Sequence, residues 1–329
     1  MISRAESASR SGVRTALCLV GLGVLVLLFF RLGPQNILAL FHQIGWRFLG
    51  VVAIFGAQEL VRAAALMQCL PGESRLRFRE LLYIRFAGEA VRALTLTGPL
   101  LSEPARAWFI KKQGVASSAA AAAVIAEFTA HSFGSAVLMA AGALFLLCCL
   151  GTTSGGLRAA AAALLGASAL YLVGAAVVLY RRIYLIGSVA RAIVRLPGLR
   201  RRFRGNLTGV RRTEDALLLV LRDRPGTFGR LMALQLAAHA LLILEAYWAI
   251  LSMGLEVSLV TAFLAESLTK LAHVALFVGA AEGAFALLFH GLGLPAAAGY
   301  TLSLIKRLRS LVVALLGLGS LALLQNRRG

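Results

Sequence analysis

The sequence predicts an all-α, polytopic helical membrane protein with about six full spans and two re-entrant helical hairpins forming an inverted repeat. Three observations carry this. The 329 residues are 59% hydrophobic with a mean hydropathy of +0.82, above the roughly half-apolar norm of soluble domains. Several apolar runs approach twenty residues, the length that crosses a bilayer core as a helix. Two further segments, 88–115 and 265–294, are apolar in the main yet carry paired charges and helix breakers.

The elements follow in order. Arg4, Arg10 and Arg14 precede an apolar run over 15–30, and Arg31-Leu32-Gly33-Pro34 follows it. No small-x-small cleavage site is present, so this reads as an uncleaved first span rather than a removed signal. The predicted spans are 15–31, 47–70, 116–149, 159–180, 228–252 and 294–324. Short-loop cations set the orientation. With the N-terminus cytoplasmic, segments 1–14, 71–113, 181–227 and 325–329 lie inside and hold most of the Lys and Arg, and the outside loops hold Arg31, Arg47 and Arg158. Both termini are then cytoplasmic. The net charge of +20 and pI near 11.3 therefore follow the positive-inside rule, and nucleic acid is not an expected partner. In the basic loop 181–227, Leu207, Val210, Leu217 and Leu221 share a helical face, with Arg211, Arg212, Arg222 and Arg224 elsewhere. That pattern suits an anionic cytoplasmic leaflet, with ordinary positive-inside charge the preferred explanation over any specific lipid recognition.

The two odd segments read as one module written twice. Gly88-Glu89 with Arg92 corresponds to Ala265-Glu266 with Lys270. Glu103 corresponds to Glu282, and each is followed eleven positions later by a glycine, Gly114 or Gly293. Thr97-Gly98-Pro99 and the run from Gly279 to Gly283 break the helices near their middles. Such backbone is tolerated at membrane depth only inside protein or beside a wet cavity. The charge count brings the first module in from the cytoplasm and the second from outside, the arrangement of an inverted-repeat transporter. Chance similarity in an Ala/Leu/Gly-rich chain is the competing explanation. As one domain over 1–329, the chain divides into repeat one at about 47–149, the basic loop, and repeat two at about 228–324.

Seven of the fourteen acidic residues fall in spans or modules: Glu59, Glu89, Glu103, Glu127, Glu245, Glu266 and Glu282. Arg62, Arg92, Arg106, Lys270, Lys306, Arg307 and Arg309 lie near them in sequence. A charge at the bilayer centre costs about 2.5–3.5 kcal/mol on the insertion scale, so these groups must pair or face water. Spacing predicts local pairs Glu59/Arg62, Glu89/Arg92 and Glu103/Arg106 at i,i+3, and Glu266/Lys270 at i,i+4. Glu127 and Lys306 each lie thirteen residues past a module glycine, which invites a contact across the pseudo-twofold axis. The candidate substrate-binding set is Glu89, Arg92, Glu103, Arg106, Glu127, Glu266, Lys270, Glu282 and Arg307. Glu282→Gln or Arg106→Ala is expected to stop ligand movement without loss of insertion.

Several chemistries have no motif here. There is no Walker A loop, GxSxG, HExxH or CxxC. The two aspartates, Asp215 and Asp223, both sit in the basic loop, and the four cysteines lie in or beside apolar runs. No cofactor, metal or catalytic residue is expected. His131 and His273 lie in a span and a module, as structural histidines or proton carriers.

GEAVRALTLTGPLLSEPARAW with KKQGV, and FVGAAEG…GLGLPAAAGYTLSLIKRLRSL, resemble the lysylphosphatidylglycerol synthase transmembrane-region family of flippase-like membrane proteins, hopanoid-biosynthesis-associated members included. Leu96 and Phe277-Val278 replace prolines usual in that family. The resemblance implies a multi-pass protein of the bacterial cytoplasmic membrane that moves or binds a lipid with an anionic or polar head group. It does not extend to lysyl transfer, since these residues include no soluble aminoacyl-transferase domain. Two alternatives stay open: a transferase on a lipid-linked sugar or head group, using Glu103 or Glu282 as general base, and a non-catalytic subunit of an envelope-lipid pathway.

Overall fold

A computed structural model of the chain describes residues 44–74, 76–95, 99–149, 155–184, 187–188, 207–270 and 280–326, with Gln35 and His42. Among these residues there are ten α-helices and no strand. They are α1 (Phe48–Cys69), α2 (Phe78–Thr95), α3 (Pro99–Lys112), α4 (Ser117–Cys149), α5 (Gly155–Tyr180), α6 (Leu207–Leu218), α7 (Pro225–Ser252), α8 (Leu259–Leu268), α9 (Ala280–Gly291) and α10 (Ala296–Asn326).

Local chemistry sets the ends. Leu70 turns extended (φ −81°, ψ 151°) because Pro71 follows it. At the start of α2 the Arg77 N–H donates to Glu80 Oε2 at 3.0 Å, the return arm of a capping box. Pro225 opens α7, where its missing N–H is not needed. Ser258 Oγ caps α8 by accepting from the Thr261 N–H. The two module glycines occupy matching places. Gly114 (φ +95°) joins α3 to α4, and Gly293 (φ +76°) joins α9 to α10. Both need the left-handed region that a side chain disfavours.

Among the described residues, four helices are long and apolar enough to cross a membrane: Gly45–Cys69 (α1 with the short turn before it), α4, α5 and α7. They match the predicted spans 47–70, 116–149, 159–180 and 228–252 to within a few residues. The chain is a multi-pass helical membrane protein. The predicted span 294–324 is present as α10, 31 residues long, about 46 Å at 1.5 Å per residue. Its three cations, Lys306, Arg307 and Arg309, set it apart from those four helices. The first predicted span, 15–31, lies outside the described residues, as do Thr97, Gly98, His273 and Gly279.

Helix α5 is apolar all round, and Ala161 and Ser168 are its buried residues. It packs mainly on α4, with Leu157 near its start also against Gly291 of α9, and most of its remaining surface faces outward, as a lipid-facing helix should. The remaining helices interleave the two halves. Helix α1 lies against α7, α2 against α10, and α8 against α4. Within each half, α3 packs on α4 and α9 on α10. Helices α1 and α7 run antiparallel: Trp248, near the end of α7, donates from Nε1 to the Arg47 carbonyl at 2.9 Å, just before α1. At the opposite ends, Leu231 shares an apolar cluster with Leu66 and Cys69.

Two apolar cores result. One gathers Leu66, Leu81, Ile84, Ile110 and Leu231. The other gathers Val51, Ile250, Phe285, Phe289 and Ile305. Along α1 and α7 the stretch between these cores carries Glu59, Arg62, Gln235 and His239, all buried. The amphipathic segment of the basic loop is α6, followed by a π-helical turn over Leu219–Asp223. Arg211 and Arg212 are exposed, but Leu218, Val220 and Leu221 are buried. Much of its apolar face is therefore covered by protein, on α4 and α7. Beside it the Tyr184 hydroxyl donates to Asp215 Oδ1 at 3.0 Å, which holds the phenol above its ordinary pKa.

The closeness of α2 and α10 gives a first prediction. A Cβ at Gly317 would collide with the Phe86 carbonyl and the Ala90 side chain, whereas one at Gly319 would meet nothing. Gly317→Leu should lower stability by about 1–3 kcal/mol, read as detergent-phase thermal unfolding, with Gly319→Leu close to wild type.

Candidate functional site

The charged residues of the spans form one buried seam, built from helices of both halves. Helix α2 carries Arg85, fully buried. Its Nε and Nη2 reach the two oxygens of Glu59 on α1, at 2.9 and 3.3 Å. Its Nη1 lies 3.2 Å from Glu127 Oε2 on α4. Arg62, one turn beyond Glu59 on α1, grips Glu127 through Nε at 2.9 Å and Nη2 at 3.2 Å. Gln235 of α7 adds a donated bond from Nε2 to Glu127 Oε1 at 3.1 Å. The planar guanidinium fork fits a carboxylate with two parallel bonds, which is why arginine suits such buried pairs. Two carboxylates and two guanidiniums here balance.

The first module forms a second knot. Arg106 of α3 is buried, bonding Glu89 of α2 through Nη2 at 2.6 Å and Glu103 through Nη1 at 2.5 Å. Arg92 pairs with Glu89 Oε2 at 2.5 Å and is 41% exposed, so it marks an edge of the seam. Gly88 makes room for the Arg106 chain, since a Cβ there would collide with it.

In the second half α10 supplies the cations. Lys306 pairs with Glu266 of α8, Arg307 with Glu282 of α9, and Arg309 with Glu245 of α7. Lys270 also reaches Glu266, at 3.2 Å. Arg307 is 36% exposed and marks a second edge. Ion pairs thus join α1 to α4 through Arg62 and Glu127, and α7 to α10 through Glu245 and Arg309.

Two histidines join the knots. His131 of α4 and His239 of α7 stack with ring centroids 4.5 Å apart. His131 Nδ1 lies 2.9 Å from Gln235 Oε1, and His239 Nδ1 lies 3.5 Å from Lys270 Nζ. A chain of polar contacts, some of them hydrogen bonds, one an ion pair and one a ring stack, thus runs from Arg85 through Glu127, Gln235 and the ring pair to Lys270, Glu266 and Lys306.

The predicted local pairs Glu89/Arg92, Glu103/Arg106 and Glu266/Lys270 are present. Glu59 and Arg62 are not partners: a shared helix face put them close, but each turns to another helix, Glu59 to Arg85 and Arg62 to Glu127. Glu127 and Lys306 do not meet either, because their hydrogen-bonding capacity is taken up by Arg62, Arg85 and Gln235 and by Glu266. Sequence reasoning passed over Arg85, Gln235 and His239. Arg85 sits four residues before Glu89, one helical turn, and that spacing was its available signal.

Glu103 Oε2 and Glu282 Oε2, the corresponding module glutamates, are each buried without a hydrogen-bond partner among the described residues. Burying such an acceptor unpaired costs about 1–3 kcal/mol. Among the described residues no group of three or more His, Cys, Asp or Glu could hold a metal ion.

A family model described as "Lysylphosphatidylglycerol synthase TM region" matches residues 15–317. No curated protein and no solved structure matches the chain.

Proposed function

The chain belongs to the lysylphosphatidylglycerol synthase TM region family, and on that premise we propose that it is a lipid translocase whose working site is the buried charged seam. The family ties the chain to membrane-lipid modification or flipping. The observation that carries the finer reading is that the seam draws on helices of both halves and has two edges: Arg92 on Glu89, in the knot whose Glu103 keeps one buried oxygen without a hydrogen-bond partner among the described residues, and Arg307 on Glu282, which keeps another. Arg92 stands by the Glu89–Arg106–Glu103 knot, and Arg307 by Glu282. An anionic phosphate in the head group would engage Arg92 or Arg307, and a hydroxyl or amine donor would engage Glu103 or Glu282. Exchanging ion-pair partners lets a polar head group enter a low-dielectric interior without leaving a bare charge there.

We infer that residues 47–149 and 228–324 are inverted repeats. The shared helix order, the matching left-handed Gly114 and Gly293, and the antiparallel α1 and α7 support this. The protein then sits in the bacterial cytoplasmic membrane with both termini cytoplasmic, its basic loop against the anionic leaflet. Glu89, Arg106, Glu127, Glu266 and Lys270 form the seam's interior.

The test is movement of fluorescent phosphatidylglycerol in vesicles holding the purified chain, without ATP, followed by chemical quenching of the outer leaflet. Protein-dependent loss of the protected inner-leaflet signal is expected. A protected pool equal to that of empty vesicles overturns the reading. A modified head group on lipid that stays in its leaflet would instead mark a transferase.

A further inference from the structure

Glu266 differs from the other buried carboxylates in its company. The Glu59–Arg85–Glu127–Arg62 knot is neutral, as are the Glu245–Arg309 and Glu282–Arg307 pairs. Glu266 instead faces two lysines, Lys270 just past the end of its own helix and Lys306 on α10. The cluster therefore holds one positive charge in excess. Side-chain exposures of 12% for Lys270 and 7% for Lys306 give bulk water little share in stabilising it.

The neighbouring ring can accept the surplus proton. His239 Nε2 lies 3.2 Å from the His131 carbonyl, which can only accept, so that nitrogen carries the ring proton. The lone pair of Nδ1 then faces Lys270 Nζ at 3.5 Å. The other groups around the ring are the stacked His131 and the hydroxyl of Ser135 on α4, Arg62 on α1, Gln235 on its own helix, and Glu266 on α8. The ring sits where the helices of the two halves meet.

We propose that Lys270 and His239 form a proton-carrying site that couples lipid movement to protons. With the proton aboard, the Glu266 cluster is cationic and takes an anionic head group, whose charge it neutralises. When the head group leaves, one proton passes from Lys270 Nζ to His239 Nδ1 and then to water, leaving neutral Lys270 and a balanced Lys306–Glu266 pair. No oxidant or other co-reactant is needed. This rests on the translocase reading above.

The experiment places the full chain in phosphatidylcholine vesicles with trapped pyranine, and follows fluorescent phosphatidylglycerol or fluorescent phosphatidylcholine with and without a pH gradient. A gradient should change phosphatidylglycerol movement severalfold and carry protons with it, while phosphatidylcholine movement ignores it. Lys270→Met and His239→Gln should each abolish the gradient response. The glutamine keeps a donor for the His131 carbonyl, so a folded chain is available. Wild-type movement indifferent to the gradient, or a response surviving in both variants, overturns the proposal. If the wild-type chain moves no lipid, the translocase reading has failed instead. The ring ¹⁵N signals of His239 then decide. A shift of the Nδ1 signal with pH that Lys270→Met removes supports the proton site, and a ring unmoved in both chains overturns it.

Discussion

Glu127→Ala should lower the unfolding free energy by about 3–5 kcal/mol, the loss expected when one partner of a buried ion pair is removed. Arg62 loses the carboxylate it grips with two bonds, Arg85 keeps only Glu59, and Gln235 loses an acceptor. Glu127 is itself buried to 1% exposure, so water cannot replace what is removed. Thermal unfolding in detergent, read by size-exclusion fluorescence, measures it. The partner change Arg62→Met with Glu127→Met should recover much of the loss, because Arg85 and Glu59 remain a balanced pair. A single variant as stable as wild type would mean that water reaches this knot.

Glu282→Gln should abolish lipid movement while the protein still folds and inserts. The substitution keeps the shape and one acceptor oxygen but removes the charge that faces Arg307. Arg307 is 36% exposed, so solvent can screen its unpaired charge and the folding loss stays small. Arg106→Ala is a poorer test than the sequence suggested. Arg106 is buried against Gly88 and joins Glu89 to Glu103, so its removal leaves Glu103 without its cation, and Glu89 with Arg92 alone, and destabilises the fold. Undiminished lipid movement by Glu282→Gln in vesicles would remove this edge of the seam from the mechanism.

What the sequence revealed follows from the kind of signal each feature leaves. Apolar runs declare themselves residue by residue, so spans such as 47–70 and 116–149 agree with the helices Phe48–Cys69 and Ser117–Cys149. Glutamates with a cation three or four positions on declare a shared helix face, and Glu103/Arg106 and Glu266/Lys270 do pair. The cross-helix partners leave no such trace. Glu59 could be matched to Arg62 on spacing, yet the bond goes to Arg85, on another helix. Arg85 was obscured because segment 71–113 read as a cytoplasmic loop, in which an arginine needs no explanation. His239 sits in an apolar run and acquires meaning only through His131 on α4 and Lys270 just past α8.

Everything proposed for the seam depends on the two halves entering from opposite sides of the membrane. Lys111, beside the first module glycine, and Ala296, just past the second, are both exposed. Each is replaced singly by cysteine in a chain whose four own cysteines are changed to alanine. A membrane-impermeant maleimide is then applied to right-side-out and to inside-out vesicles. Labelling of Lys111→Cys from the cytoplasmic face and of Ala296→Cys from the opposite face is the predicted result; labelling of both from the same face would contradict it.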